Sequence, residues 1–268
     1  MVRLAYRGSG WSDPGEQAAI ESLLPLAPGT RVLDVGIGGG RTTMFLAPVA
    51  GTYVGVDSEP AMVADARKRF PGLDLRVGDA TRLGDLPDAS FDLVVFSLNG
   101  LDCLGHDDRD RFLAECTRLL APGGTLLFST HNLDGPSYAE RPSWRDARER
   151  FAKPGLAAKV EAVVGAAPRL ALAVVNARRH RTPSAGVGWA MAPLRAHEFR
   201  FDAHFARLAE VRASLERAGL ELVALWGSTG TPLDLEASTY PDPYVQVVAR
   251  RPGVRVIDLT GRERSALT

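Results

Sequence analysis

The segment RVLDVGIGGGRTT, residues 31–43, constrains the fold of this chain more than any other part of its sequence. Its apolar run ends at Asp34, and a cluster of glycines follows. The members of this cluster are Gly36, Gly38, Gly39 and Gly40. Because glycine has no Cβ, it adopts positive φ angles and lets the backbone come close to a ligand. A buried strand that breaks into glycines before a helix therefore predicts a site for a nucleotide-like molecule.

The first half of the sequence alternates between strand and helix patterns. Short apolar runs predict five strands, at residues 31–35, 52–57, 74–79, 91–100 and 125–131. Amphipathic segments predict helices at 13–24, 41–49, 59–70 and 107–120, the first with Asp13 as its cap and Glu16 completing a capping box. Five strands joined by helical crossovers imply a mostly parallel sheet with helices on both faces.

The second half predicts an insertion and two closing strands. Residues 135–203 interrupt the alternation, contain a predicted helix at 155–180, and are expected to form a helical lid. An amphipathic helix at 205–220 precedes predicted strands at 220–227 and 244–250. The sequence therefore predicts an α/β fold with a Rossmann-like, seven-stranded, mostly parallel sheet. The predicted domains are a core of residues 1–134 and 204–251, the insertion 135–203 and a loosely held tail at 252–268.

Composition and charge argue against several classes of function. Thirty-two basic and 32 acidic residues give a net charge of zero, so no overall field favours nucleic acid or a membrane surface. Nucleic acid is also disfavoured because no stripe of arginine and aromatic residues occurs, although the cluster ARRHR at 177–181 leaves it open. Cys103 and Cys116 show neither metal-ligand nor disulfide spacing, so no metal is predicted. Without a signal-peptide core or a long uncharged apolar run, the chain is expected to be cytoplasmic, and its oligomeric state stays undetermined.

The spacing of the glycines discriminates between nucleotide-binding loops. A phosphate loop needs a lysine after its last glycine, and no lysine stands there. The dinucleotide pattern G-x-G-x-x-G, counted from Gly36, needs a third glycine where this sequence has Arg41. The pattern that fits is Asp34-x-Gly36-x-Gly38-x-Gly40.

This pattern resembles motif I of the class I S-adenosylmethionine (SAM)-dependent methyltransferases. The resemblance continues in family order over residues 30–131, through Asp57 at the end of the second strand, GDAT at 78–81 and LLAPGGTLLFST at 119–130. The segments YRGSGWSDPGE, FSLNGLD and FSTHNLDGP further resemble a bacterial branch of small-substrate methyltransferases. The resemblance implies SAM as the cofactor. Carboxylates suit this ligand, because its adenosine end carries hydroxyls and an amine rather than phosphate.

The resemblance implies a set of cofactor-binding residues. Asp57 would accept hydrogen bonds from the ribose hydroxyls, and Asp79 with Ala80 would bind the adenine. Gly36 and Gly38 would let the backbone approach the amino acid part of the cofactor. The remaining candidates lie around these positions: Asp34, Arg41, Ser58, Met62, Ser97, Tyr6 and Trp11.

Several of these residues have an alternative structural role. Asp34 would either order the glycine turn or contact the cofactor, and Arg41 would either face solvent or meet the cofactor carboxylate. Met62 would cover the adenine or pack in the core. For the other candidates, the alternatives are a helix cap for Asp57, turn formation for Asp79, and anchoring of the N-terminal arm for Tyr6 and Trp11.

Candidate catalytic residues follow the fourth and fifth strands. Asn99 would hold an acceptor group or serve its turn, and His131 would act as a general base or as a structural histidine. Asp102 is a further acid near the expected mouth of the site, and His106 is expected to belong to a helix cap. Aromatic residues of the insertion region would line an acceptor pocket or form the core of the lid: Tyr138, Trp144, Trp189 and Phe199.

These observations predict methyl transfer from SAM to an N or O nucleophile of a small metabolite or peptide. Such a transfer needs mainly positioning and exclusion of water, so a weak catalytic signature is expected. Two alternatives remain: an NAD(P)-dependent oxidoreductase, which would leave Asp79 without a role, and a SAM-binding regulatory protein without catalysis.

Overall fold

The computed structural model describes residues 14–138, 140–143, 168, 170–178, 184–195, 198–253, 255–257 and 263–265. Several residues singled out in the sequence lie outside these ranges, namely Tyr6, Trp11, Asp13 and Trp144. Most of the helix predicted at 155–180 lies outside them as well, although residues 170–178 are helical.

Helices and strands alternate through the described chain. The helices are α1 (Pro14–Glu21), α2 (Thr43–Leu46), α3 (Pro60–Arg69), α4 (His106–Leu119), α5 (170–178) and α6 (Leu208–Arg217). The strands of the first half are β1 (Arg31–Val35), β2 (Thr52–Asp57), β3 (Asp74–Val77), β4 (Phe91–Phe96) and β5 (Leu120–Asn132). Those of the second half are β6 (Ala185–Gly186), β7 (Trp189–Pro193), β8 (Asp202–Ala206), β9 (Glu221–Gly227), β10 (Tyr244–Arg250), β11 (Arg255–Ile257) and β12 (Glu263–Ser265).

Local sequence signals explain several element boundaries. Pro48 stands in a short 3₁₀ helix, Ala47–Val49, which ends α2 as the sequence predicts. The side chain of Glu59 accepts a hydrogen bond from the Ala61 amide, so it caps α3 one residue before Pro60. Gly219, at a φ of +75°, follows α6 and permits the left-handed turn that ends it.

The main sheet confirms the predicted α/β architecture. Strands β3-β2-β1-β4-β5 are neighbours in that order and pair in parallel. Strand β10 lies antiparallel between β5 and β9, which completes seven strands. Ligands of such sheets bind beyond the carboxyl ends of the parallel strands, so the ends of β1, β2, β4 and β5 define the candidate site.

The sheet is larger than predicted because the insertion contributes strands to it. In the described residues it has ten strands, with β8, β7 and β6 added beyond the end of β5. His131 and Asn132 pair in parallel with Phe205 and Ala206, at positions that β4 no longer reaches. The insertion, expected to form a helical lid, contains in its described part the helix α5 and also the strands β6 and β7, in which alanines alternate through Trp189–Pro193.

Helices cover both faces of the sheet. One apolar cluster contains Phe112 and Leu119 of α4 with Leu215 of α6. The other contains Ala19 and Ile20 of α1 with residues of α3. Burial of each large apolar side chain contributes about 1.5–3 kcal/mol, so the two clusters fix the strand ends in space. Among the described helices, none is both long and apolar enough to span a bilayer.

The C-terminal region departs from the sheet. Among the described residues, strands β11 and β12 pair with each other in a two-stranded antiparallel sheet apart from the main sheet. The division into a core, an insertion at 135–203 and a tail stays a prediction, although β8 spans the proposed boundary at residue 203.

Candidate cofactor and acceptor site

The glycine turn between β1 and α2 places two of its glycines close to aromatic rings. Gly36 has a φ of +68°, and a Cβ there would lie 2.5 Å from the Phe96 ring. Gly40 has a φ of +85°, and its Cβ would lie 2.3 Å from the Phe70 ring. Both positions therefore need glycine for its backbone conformation and for packing against α3 and β4.

Gly38 stands at the open side of this turn. Its φ is +53°, and a Cβ there would have no neighbour within 4 Å. Its amide donates a hydrogen bond of 2.8 Å to Asp57 Oδ2, while Asp57 Oδ1 accepts from the Glu59 amide at 2.8 Å. Asp57 thus holds the glycine turn, and the cap of α3 is Glu59. A carboxylate has about four acceptor positions, so Asp57 retains capacity for ligand hydroxyls.

The other residues expected around the adenosine differ in accessibility. Asp79 is exposed, and its Oδ1 accepts from the amide and the hydroxyl of Thr81, both at 2.8 Å. These bonds lower the pKa of Asp79 and form the local turn. Ser58 is exposed, Ala80 is half-buried against the core, and Met62 is buried in α3.

Asp34 lies beneath the glycine turn. Its side chain is fully buried, and Oδ2 accepts hydrogen bonds from Thr42 Oγ1 and the Tyr53 hydroxyl, both at 2.6 Å. Burial raises the pKa of Asp34 to about 6, although the two hydroxyls favour its ionised form. Its Oδ1 has no protein partner. This placement suits the role of ordering the turn.

The position of Arg41 differs from one of the two positions expected for it. Its expected solvent-facing position is wrong, because only 7% of the residue is exposed. Its Nη2 donates to Glu16 Oε1 at 2.7 Å and to Ser97 Oγ at 2.8 Å, and Nη1 donates to Glu16 Oε2. Glu16 is itself buried, so this ion pair joins α1 to the glycine turn and to the end of β4.

Asp102 and His131 form a buried pair at the ends of β4 and β5. Asp102 Oδ2 accepts from both the backbone amide and Nδ1 of His131, each at 2.6 Å. Asp102 stands in the 3₁₀ helix Gly100–Cys103 and is fully buried, below His131 rather than at the mouth of the site. The two residues are 29 positions apart, so only the fold brings them together.

Arg109 of α4 forms an ion pair with Asp102 of this pair. Its Nη1 lies 2.5 Å from Asp102 Oδ1, which also accepts from Thr130 Oγ1 at 2.8 Å. Burial raises the pKa of Asp102, but the charge of Arg109 and the hydrogen bond from His131 outweigh burial, so the net shift is downward. Asp102 therefore stays ionised at neutral pH.

The Nε2 side of His131 faces a cavity. Its volume is about 340 Å³, which is in the size range of small-molecule sites. Asn99 lies beside it with Nδ2 at 3.4 Å from His131 Nε2. The cavity is lined by Asn99, His131, Ser137, Glu140, Leu194, Arg195 and Tyr244.

The end of β4 links the glycine turn with this cavity. Ser97 bonds with Arg41, and the Asn99 amide donates to Ser129 Oγ at 2.6 Å. Asn99 adopts a left-handed conformation, with φ at +53°, which turns the chain back toward β5. Among the described residues, the candidates that follow β1, β2, β4 and β5 therefore lie at one edge of the sheet.

The aromatic residues of the insertion pack among the strands. Trp189 stacks on His106 with ring centroids 4.0 Å apart, and His106 Nδ1 lies 3.1 Å from His204 Nε2. Tyr138 packs edge-on against Phe205. His106 makes no capping bond, so its expected part in a helix cap is wrong; Gly105 occupies the cap position. Burial lowers the pKa of His204 to about 3, and this histidine is therefore neutral.

Sequence reasoning missed four residues that form ion pairs at this edge of the sheet. Glu16 was interpreted as a capping residue, and Arg109 was not singled out. The ion pair of Arg195 with Glu140, at 2.8 Å, joins segments far apart in sequence. No local pattern reveals such partners, because each pair is separated by at least seven residues and most by far more. Within the described part of the chain, no group of three potential ligands is arranged for a metal.

Comparison with known proteins agrees with this geometry. Residues 33–128 match the model of a methyltransferase domain family. A probable S-adenosylmethionine-dependent methyltransferase of Mycolicibacterium smegmatis is 41% identical over 117 residues, which are 43% of this chain and 44% of that protein. The trans-aconitate 2-methyltransferase of Methylobacterium nodulans is 34% identical over 157 residues, 58% of this chain and 57% of that protein. The chain thus spans about half the length of the curated relatives it matches.

Solved structures show the same fold. The CcbJ methyltransferase from Streptomyces caelestis superposes with a TM-score of 0.56 at 20% identity, covering 94% of this chain and 97% of that one. At this identity the similarity concerns the fold alone. The domain match and the curated relatives support the predicted resemblance to the class I SAM-dependent methyltransferases, over residues 33–128 of this chain.

Proposed function

We propose that this protein transfers a methyl group from SAM to an N or O nucleophile of a small metabolite or peptide. The observation that carries this proposal is the shared sheet edge. The glycine turn held by Asp57 follows β1, and the cavity lined by Asn99 and His131 lies at the ends of β4 and β5. Both relatives compared above bear methyltransferase names, and the acceptor of one is trans-aconitate.

The residues of the glycine turn fit SAM. Gly38 has open space above it, so backbone can approach a ligand there. Asp57 and Asp79 offer acceptors at the ends of β2 and β3, as ribose hydroxyls and an adenine amine require. SAM supplies an activated methyl group on a sulfonium. The protein's own task is to position the acceptor and to exclude water.

His131 suits the role of general base. Its Nδ1 is held by Asp102, which leaves Nε2 directed to the cavity. Asn99 beside it would orient the acceptor. The described part of the insertion, including Leu194 and Arg195, contributes to the same cavity, and we propose that residues 135–203 cover the acceptor.

Calorimetric titration with SAM, S-adenosylhomocysteine and NAD tests the cofactor assignment. We expect saturable binding of the two adenosyl ligands and none of NAD. Binding of NAD alone would favour the oxidoreductase alternative. A methyl-transfer assay then separates an enzyme from a regulatory protein that binds SAM without turnover.

A further inference from the structure

We infer that the ring of Phe96 is a spacer that fixes the distance between the glycine turn and the acceptor cavity, which makes Phe96 a positioning residue for methyl transfer. The inference rests on the proposed function and concerns a buried side chain at the end of β4. It stands on the packing of two glycines against this one ring and on the left-handed turn that follows the strand.

Two glycines from different turns pack on the same edge of the Phe96 ring. A Cβ added at Gly36 would lie 2.5 Å from Phe96 Cε2, and one added at Gly100 would lie 2.3 Å from the same atom. Gly36 belongs to the glycine turn, whereas Gly100 follows Asn99, which lines the cavity. The backbones of the two turns therefore meet at one ring edge, and the ring sets how closely they approach each other.

The core holds the Phe96 ring in place. Phe96 is only 6% exposed, and its ring packs edge-on against Phe112 of α4, with the ring centroids 5.1 Å apart. Phe112 is itself fully buried in the apolar cluster that α4 and α6 share. Because such a core is close-packed, a bulkier residue in either turn would displace the backbone of that turn rather than the ring.

The turn between β4 and the cavity has an unfavourable backbone conformation. Leu98 and Asn99 both have a φ of +53°, in the left-handed region that leucine rarely adopts. Strained backbone of this kind persists only where its surroundings enforce it, and it is typical of functional sites. Two contacts enforce it here: the Asn99 amide donates to Ser129 Oγ at 2.6 Å, and Gly100 packs on the Phe96 ring. A change in the second contact should therefore shift Asn99 within the cavity.

Methyl transfer is sensitive to such a shift. The nucleophile, the methyl carbon and the sulfur must be in line, and a misplacement of about 1 Å can lower a rate by roughly 100-fold. In the proposed function the cofactor is held at the glycine turn and the acceptor beside Asn99. The spacer therefore sets the separation of the reacting groups, whereas the affinity for the cofactor depends on the glycine turn.

Gly100→Ala tests the spacer. Gly100 is not in the left-handed region, so alanine fits its backbone and only the contact with the ring changes. The full chain is incubated with ¹³C-methyl SAM and a protein-free small-molecule extract of bacterial cells, and carbon NMR measures the labelled products. We expect product formation to fall by roughly 10–100-fold, and calorimetry should show an unchanged affinity for SAM.

Two further variants make this result specific for the ring. The matched control is Gly84→Ala, which should keep the parental rate, because a Cβ there would meet no described atom within 4 Å. Phe96→Leu removes the ring edge and should also slow the reaction, since the two turns then lose their spacer. Combining Phe96→Leu with Gly100→Ala restores bulk between the turns, so the double variant should form product faster than either single variant.

The outcomes separate this inference from the proposed function. A parental rate in Gly100→Ala, an equal loss of rate and SAM affinity, or a double variant slower than both single variants would overturn the inference and leave the methyltransferase proposal intact. SAM binding without any labelled product from the parent protein would contradict methyl transfer itself. If Gly100→Ala did not fold, Phe96→Leu alone would decide, because a parental rate in that variant would overturn the spacer.

Discussion

The glycine turn and the His131 cavity share one sheet edge but are built in opposite ways. The turn is local and uses mainly backbone: Gly38 donates to Asp57, and Gly36 fits against Phe96. The cavity instead depends on a buried polar network from three segments of the chain, formed by Asp102, Arg109, and Thr130 with His131. A backbone turn tolerates changes in its surroundings, whereas a buried charge network fails when one partner is removed.

Variants of the two regions should therefore change different measured properties. Changes at the turn should affect cofactor affinity, and changes at the cavity should affect turnover. Arg41 and Ser97 connect the two regions through a hydrogen bond. Variants of one region that leave the property assigned to the other region unchanged would show that the regions act independently despite this bond.

The largest expected effect is that of Asp102→Asn on turnover. The amide would donate to Nδ1 of His131 and thereby place the ring proton on Nε2, so the rate should fall by roughly 10²–10⁴-fold. The free energy of unfolding should fall too, by about 3–5 kcal/mol, because Arg109 loses its buried partner. Steady-state kinetics on protein that still binds SAM tests this; an unchanged rate would show that Asp102 does not govern the reaction.

The second-largest expected effect is the contribution of Asp34 to the pH dependence of the free energy of unfolding. The pKa of Asp34 is raised from 3.8 to about 6, so the folded state favours the protonated carboxyl. This stabilisation is complete below pH 3.8 and is lost as the pH rises through 6. The ionised carboxylate thus costs on the order of 3 kcal/mol at neutral pH.

Asp34→Asn removes this titration. We expect the difference in Tm, variant minus parent, to be several degrees larger at pH 8 than at pH 5. Thermal unfolding of both proteins at the two pH values measures the difference. An equal difference at pH 5 and pH 8 would mean that Asp34 is not the titrating group.

Asp57→Ala should weaken SAM binding by roughly 10–100-fold, because charge-assisted hydrogen bonds contribute about 1.5–3 kcal/mol. The fold should persist, since the side chain is only partly buried and lies at the strand end. Calorimetry gives the affinity, and Asp79→Ala provides a matched comparison at an exposed carboxylate. Unchanged SAM affinity in Asp57→Ala would contradict the proposal that Asp57 binds the ribose hydroxyls.

The smallest expected effect is that of Gly38→Ala on stability. Its Cβ meets no atom, so the cost is the left-handed backbone alone, about 1–2 kcal/mol. Gly36→Ala should cost more, because its Cβ would lie 2.5 Å from the Phe96 ring. Chemical denaturation ranks the two variants; the reverse order would contradict the packing described for the turn.

Much of the fold could be predicted from the sequence because its signals are local. Strands β1 and β2 have the predicted bounds, since apolar runs bounded by Gly and Asp define them. Helix α3 follows its proline and α6 stops at its glycine. The strands of the insertion were missed, because β6 and β7 are short and the pairing of His131 with Phe205 spans a long stretch of chain.

The Asp-Gly turn after a buried strand and the carboxylates at successive strand ends follow from local sequence alone. The burial of Arg41 against Glu16 and the position of Asp102 beneath His131 arise only in the folded chain. The difference lies in how far apart in sequence the interacting residues are. A turn or cap is set by neighbours within a few residues, but a buried charge is stable only where the completed fold supplies its partner.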